Sequence, residues 1–245
     1  MSDNPQFSLV VPAYNEEDQL PRSLPSFLAA MEASGRRGEL IVVDNNSTDR
    51  TPEIARAHGA RVVFEPHNQI SRSRNAGARA AAGRHLVFVD ADTLIPPELL
   101  SAALGNLESG KCCGGGAAVA LDRYHSQSVR RFVRIWNWFS RRFRTAAGSF
   151  VYCLKEGFDD VGGFSERVYA AEEILFSRAL RKWGRRRRME FRIVTEHPVL
   201  SSARKGDWFT PRQMLWPTIM IVLFPFLLTR RRFCSIWYKR PSKPG

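Results

Sequence analysis

Asp90 and Asp92 stand one residue apart at the end of the apolar run His85-Leu-Val-Phe-Val89. Five mostly β-forming residues that deliver two acids read as a buried strand ending at a polar edge. Residues i and i+2 of a strand face the same way, so both carboxylates are expected in one site. Two close carboxylates repel unless a positive charge stands between them. A divalent cation with oxygen ligands, Mn2+ or Mg2+, meets that need and commonly shares its coordination sphere with substrate phosphates. A helix-capping turn before Ile95-Pro-Pro-Glu98, using Asp92 or Thr93, explains the same residues, so their neighbourhood has to decide.

That neighbourhood repeats the pattern. Phe7-Ser-Leu-Val-Val11 runs into Pro12-Ala-Tyr-Asn-Glu16, and Leu40-Ile-Val-Val43 into Asp44-Asn-Asn-Ser-Thr-Asp49. Helical spacing lies between them: Leu20, Leu24, Phe27, Leu28 and Met31 predict a helix over 17–34, and an Ala-rich helix is expected over 71–82. Further elements are expected as a helix over 52–58, a strand over 61–64, a helix over 97–107 and a strand over 114–121. The last begins flexibly at Gly114-Gly-Gly116. Strands alternating with helices predict an α/β fold with a mostly parallel central sheet and a Rossmann-like nucleotide-binding half. Ligands of such sheets bind at the carboxyl ends of the strands.

The loop residues suit a nucleotide. Pro12, Ala13 and Tyr14 offer an apolar face for a base, and Asp44 an acceptor at its rim. A plain helix start, capped by Asn15 with Glu16 near the dipole, is compatible with this. Ser71-Arg-Ser-Arg-Asn-Ala-Gly77 places arginines at a helix start, where backbone N–H groups attract anions and guanidinium groups bond phosphate. Arg204, in Ser201-Ser-Ala-Arg-Lys205, is a further candidate for a diphosphate.

Taken in order, Val11-Pro-Ala-Tyr-Asn-Glu16, Val43-Asp-Asn-Asn-Ser-Thr-Asp49, Arg74-Asn-Ala-Gly77, Asp90-Ala-Asp92, Val161-Gly-Gly-Phe164 and Ala171-Glu-Glu173 resemble the family 2 glycosyltransferases of the GT-A fold. The resemblance spans roughly residues 7 to 200. It implies a nucleoside diphosphate sugar donor, UDP- or GDP-linked. Pro12, Ala13, Tyr14, Glu16, Asp44, Arg74, Asn75, Asp90, Ala91 and Arg204 then line the nucleotide-sugar site, with Asp92, Asp90 and His197 at the metal. His197 follows the strand-like Phe191-Arg-Ile-Val194, where GT-A enzymes commonly place a metal-completing histidine; a packed or solvated histidine is the plainer reading. The acidic pair maps onto Glu172 and Glu173, the second being the general base for the acceptor hydroxyl. Here the chain has Glu-Glu where the family usually has Glu-Asp, so the base reaches one methylene further. A neighbouring acid is expected to raise its pKa.

Charge is uneven along the 245 residues. Residues 1–110 hold 10 Lys/Arg against 14 Asp/Glu, a net of −4, and residues 111–245 hold 27 against 10, a net of +17. The basic half calls for an anionic partner: lipid headgroups, a phosphate-bearing acceptor or nucleic acid. The site motifs favour the first two, and no nucleic-acid partner is expected. Residues 129–144 place Val129, Phe132, Val133, Trp136, Phe139 and Phe143 on one stripe among arginines. An interfacial helix and a helix covering the sheet explain this equally. Residues 214–228 carry no charge, yet their ~22 Å as a helix falls short of a ~30 Å hydrocarbon core. A domain over 1–205 with a membrane-associating extension over 206–245 is therefore expected, at the cytoplasmic membrane face. No apolar signal region opens the chain, and Cys112, Cys113, Cys153 and Cys234 show no zinc spacing, so a reduced, non-secreted protein is expected.

The reading is a glycosyltransferase, hexosyl or N-acetylhexosaminyl, acting on a lipid, saccharide or other hydroxyl acceptor or a lipid phosphate. A nucleotidyltransferase is the alternative enzyme, but it would carry a Gly-rich basic loop after the first strand. A non-catalytic basic lipid- or nucleic-acid-binding module is the alternative from another class.

Overall fold

The apolar runs over 7–11, 40–43 and 85–89 become strands buried on both faces. In the computed structural model, which describes residues 4–204, 208, 225–234 and 238, the first half is β1 (Phe7–Ala13), α1 (Leu20–Ala33), β2 (Gly38–Asp44), α2 (Thr51–Ala57), β3 (Arg61–Phe64), α3 (Ile70–Ala80) and β4 (His85–Val89). Alternate residues of β1 feed two cores: Phe7, Leu9 and Val11 pack with α1, and Val10 packs towards α3. The second half adds β5 (Thr93–Leu94), α4 (Pro97–Glu108), β6 (Cys112–Leu121), α5 (Gln127–Phe143), β7 (Phe150–Leu154), α6 (Lys155–Val161), α7 (Glu172–Arg186) and β8 (Glu190–Ser201).

One eight-stranded sheet results, in the order β3-β2-β1-β4-β7-β6-β8-β5. The first four strands are mutually parallel, β6 and β8 are parallel, and β7 and β5 run against their neighbours. The chain winds outwards from β1 to β3 and then returns to place β4 on the other side of β1. That reversal makes the carboxyl ends of β1 and β4 a topological switch point, where such sheets bind ligands. Pro12–Glu16 territory and Asp90 emerge there together.

Several expectations shift. Helix α1 starts at Leu20, not 17, since the backbone N–H groups of Glu16 and Glu17 are taken by Thr51 Oγ1 and Asp49 Oδ2. Leu28, counted for the core, is exposed. The strand expected over 114–121 begins at Cys112 and is buried throughout its glycines. A Cβ on Gly115 would collide with the Arg192 carbonyl and the Tyr152 ring. Close packing, not flexibility, therefore requires glycine there. Gly77 lets α3 settle on the sheet, because its Cβ would strike Val10.

All four cysteines are buried and unpaired by disulfides. Among the described residues no helix is long and apolar enough to cross a membrane. Most of the proposed extension over 206–245, including 214–224, lies outside the described residues. Its described parts, two 3-10 turns at Pro225–Thr229 and Arg231–Cys234, fold back: Leu228 O accepts from Tyr169 N (2.8 Å), and Arg231 Nη2 donates to Asn68 Oδ1 (3.0 Å).

Candidate active site

Arg74 is the hub of the switch point. Helix α3 carries it inwards, and its side chain is only 2 % exposed. Nη1 donates to Glu172 Oε1 (2.8 Å), while Nη2 donates to Asp90 Oδ1 (2.9 Å) and to the Gly148 carbonyl (2.8 Å). Burial alone would lower the guanidinium's pKa; the Asp90, Glu172 and Glu173 carboxylates outweigh it and leave it raised. One cation thus ties the end of β4, the start of α7 and the loop before β7.

Asp90 and Asp92 do not share a strand face. β4 ends at Val89, and Thr93 N–H closes a turn onto the Asp90 carbonyl (3.1 Å). This corrects the i, i+2 expectation: the backbone bends before the second acid. Ala91 packs into the hydrophobic core and offers no side chain to a sugar nucleotide. Each carboxylate instead has its own arginine. Asp92 Oδ2 lies 2.9 Å from Arg204 Nη2, and Arg204 holds both oxygens of Glu16 at 2.6 Å. Although burial opposes its charge, Arg204 has a pKa raised by Glu16 and Asp92. Glu16 is therefore the holder of Arg204 more than a ligand contact.

A Mn2+ or Mg2+ ion is commonly held by one or two carboxylates, with substrate phosphates supplying further oxygens. Asp90 and Asp92, hard oxygen donors on one turn at the switch point, fit that kind of site. Among the described residues no group of three His, Cys, Asp or Glu forms an all-protein cage. His197 does not join the pair. It sits where β8 bulges out between the residues paired with Ala117 and Val119, whereas the β8-end residue that meets Asp92 is Ser202, through its N–H (3.1 Å).

Glu173 follows Glu172 in the first turn of α7 and is half-buried. Burial first, then the adjacent Glu172 carboxylate, pushes its pKa up to about 8, against the pull of Arg74. A Cβ on Gly148 would stand 3.7 Å from the Glu173 carboxyl carbon and 3.1 Å from Arg74 Nη2. Gly148 therefore keeps the space between base candidate and hub clear.

The loops expected to meet a nucleotide are laced together. Asn45 N–H bonds the Ala13 carbonyl (2.8 Å), Asn15 N–H bonds Ser47 Oγ (3.0 Å), and Thr48 N–H bonds Asn15 Oδ1 (2.8 Å). Pro12 and Tyr14 are half-buried at this edge, Ala13 is buried, and Asp44 caps Ser47 N–H with one oxygen (2.9 Å). Asn75 differs from expectation. Its amide is spent on the Gly162-Gly163 turn and beyond, accepting from Phe164 N–H (2.9 Å) and donating to Phe164 O (2.9 Å) and Glu166 Oε1 (3.0 Å). Its amide braces that loop. Residues unnoticed in the sequence do related work: Asp122 accepts from Ala203 N–H (2.9 Å), beside Arg204, and Asn45 secures Gln69 N–H (3.0 Å) before α3.

Comparison with known proteins agrees with this fold. The profile of "Glycosyl transferase family 2" matches residues 8–175. An uncharacterized glycosyltransferase of Mycobacterium tuberculosis (strain H37Rv) is 39 % identical over 103 residues, 42 % of this chain and 44 % of that protein. An undecaprenyl-phosphate 4-deoxy-4-formamido-L-arabinose transferase of Edwardsiella ictaluri is 32 % identical over 146 residues, 55 % of this chain and 43 % of that protein. The chain thus spans less than half the length of these curated relatives. In fold it is similar to the glucosyl-3-phosphoglycerate synthase of Mycobacterium tuberculosis solved with Mn2+, UDP and glucosyl-3-phosphoglycerate (TM-score 0.62, 19 % identity, 98 % of this chain and 82 % of that one). It is similar also to the Pyrobaculum calidifontis mannosyltransferase solved with GDP-Man and Mn2+ (TM-score 0.62, 18 % identity, 98 % and 67 %). With the family profile covering more than half of it and the sheet matching GT-A structures, the chain belongs to glycosyl transferase family 2.

Proposed function

We propose that this protein transfers a hexosyl or N-acetylhexosaminyl group from a UDP- or GDP-linked donor to a hydroxyl or lipid-phosphate acceptor at the cytoplasmic membrane face. The observation that carries the reading is one buried arginine, Arg74, that holds Asp90 at the end of β4 and Glu172 at the start of α7, with Glu173 next to it and its carboxyl held above the ordinary range by burial and by Glu172. A base poised near neutrality takes a proton more effectively than an ordinary surface acid.

Asp92 and Asp90 would hold a divalent cation, which would offset the charge growing on the leaving diphosphate. Pro12, Ala13, Tyr14 and Asp44 would hold the nucleoside, and Arg204 would reach the diphosphate. Arg74 fixes Asp90 and Glu172, so it sets the distance between donor end and base end. Glu173 would accept the acceptor's proton as its oxygen attacks the anomeric carbon opposite the diphosphate, a single displacement that inverts that carbon. Relatives named as undecaprenyl-phosphate sugar transferases support a lipid-phosphate acceptor, and neighbours solved with Mn2+ support the cation.

Calorimetry of UDP and GDP with Mn2+, combined with transfer assays on Glu173→Gln, tests the reading. Retained nucleotide binding with transfer to a hydroxyl lowered ~10²–10⁴-fold is expected, the usual worth of a general base. Binding of neither nucleotide would remove the donor assignment. Transfer within a few-fold of wild type would move the base elsewhere, Glu172 first.

A further inference from the structure

Helix α5 presents three distinct faces. Val133 and Ser140 are buried, and Asn137 pins the helix to β6 through the Val119 N–H (2.9 Å) and carbonyl (2.8 Å). Phe132, Ile135, Phe139 and Phe143 recur at three- and four-residue spacing on a flank that this contact leaves free. Phe132 is 64 % exposed and Ile135 65 %. Opposite the sheet run Arg131, Trp138 and Arg142. The expected stripe is therefore split: its Val133 side covers the sheet, and its phenylalanine side does not.

A lone exposed aromatic needs no explanation, but a row of them does. The rings gather on one another, with Phe139 and Phe143 centroids 4.6 Å apart and the Arg142 guanidinium 5.5 Å over Phe143. Over its 17 residues α5 carries five arginines and no acid. An apolar stripe flanked by arginines complements one surface in both respects, an anionic bilayer, where rings enter the acyl boundary and guanidinium groups stay with the headgroups.

Both ends of α5 lead to the charged row formed by Glu172, Arg74 and Asp90 and by Asp92 and Arg204. Just before it, His125 Nε2 lies 3.2 Å from the Ala203 carbonyl, next to the Arg204 that holds Asp92. Just after it, the loop reaches Gly148, whose carbonyl takes the Arg74 bond. We infer that the exposed aromatic and arginine faces of α5 form a docking surface for an anionic lipid bilayer. Docking there sets the site at headgroup level, where a lipid-borne acceptor carries its reactive oxygen. The acceptor clause rests on the function proposed above; the docking surface does not.

The test uses the full chain with phosphatidylcholine vesicles containing or lacking phosphatidylglycerol, in co-sedimentation at low and high salt. Phe132→Ser with Ile135→Ser should lower binding to anionic vesicles on the order of tenfold or more, through loss of buried apolar area. Arg131→Gln with Arg142→Gln should lower it by about 25-fold, at roughly fivefold per cationic residue, on the anionic vesicles alone. Both pairs should bind UDP or GDP as the wild type does. Unchanged vesicle binding in both would overturn the proposal. So would loss of nucleotide and vesicle binding together, which marks α5 as a structural wall. A shift from dimer to monomer in sedimentation would do the same and make the stripe a contact between copies. If the wild type binds vesicles but neither nucleotide, the donor reading fails and the docking surface stands.

Discussion

Arg204 lies 2.9 Å from Asp92 while gripping both oxygens of Glu16, a residue 188 positions earlier. The carboxylate proposed to meet a cation is thus already paired with one. A divalent ion at Asp92 has to compete with Arg204, and a donor diphosphate that draws the guanidinium away removes the competitor. In Arg204→Met, Mn2+ alone should bind on the order of tenfold tighter, the worth of one charge-assisted hydrogen bond. The wild type should approach that affinity only with UDP or GDP present. Electron paramagnetic resonance of free Mn2+ reads both, and equal Mn2+ affinity of variant and wild type would show that Arg204 does not compete.

Burial, and then the adjacent Glu172 carboxylate, pushes the Glu173 pKa up to about 8. If it is the base, transfer to a hydroxyl should rise with pH along a limb centred near that value in kcat/KM, which reports the free enzyme. The sign for stability is opposite. A carboxyl whose folded pKa is raised favours the folded chain fully below its unfolded value of 4.5, and that contribution is lost as pH rises through about 8. Between those limits the wild-type Tm should fall more steeply than that of Glu173→Gln. Parallel Tm profiles for the two proteins would contradict the raised pKa.

The acceptor can be told from the same variant. A hydroxyl needs its proton removed, whereas a phosphate monoester with a second pKa of about 6 is already mostly dianionic near neutrality. Glu173→Gln should therefore lower transfer to a saccharide hydroxyl ~10²–10⁴-fold and largely spare transfer to a polyprenyl phosphate. Radiolabelled donor with each acceptor in turn measures the split, and equal losses on both would mean Glu173 acts by positioning.

Arg74 is the structural keystone of the charged row. Glu172 is as well buried as Arg74 is, so Arg74→Met strands a carboxylate in the interior. Breaking a buried pair in this way costs about 3–5 kcal/mol, and replacing both partners with neutral groups recovers much of it. Thermal and urea unfolding should place Arg74→Met well below wild type and Arg74→Met with Glu172→Gln between them. A single variant as stable as wild type would mean that the pair carries no such burden.

The sequence alone specifies the sheet's parallel half, because neighbours such as Val10 and Val11, Val42 and Val43, or Phe88 and Val89 enter two different cores and only apolar strands tolerate that. It also determined which acids end those strands, since a strand's carboxyl end is marked by the first polar residue. Tertiary structure decided their partners. Arg204 and Glu16 meet through converging loops that no local spacing encodes, and the turn after Val89 sends Asp90 and Asp92 to different arginines. Asn75 braces Phe164 because α3 happens to pass beneath that turn. The stripe on α5 was legible as a helical period, yet its rotation was set by burial of Val133 and Ser140 and by two hydrogen bonds between Asn137 and Val119 of β6. Periodicity fixes that a face is apolar; only the neighbour that packs against a helix fixes which part of the face remains open.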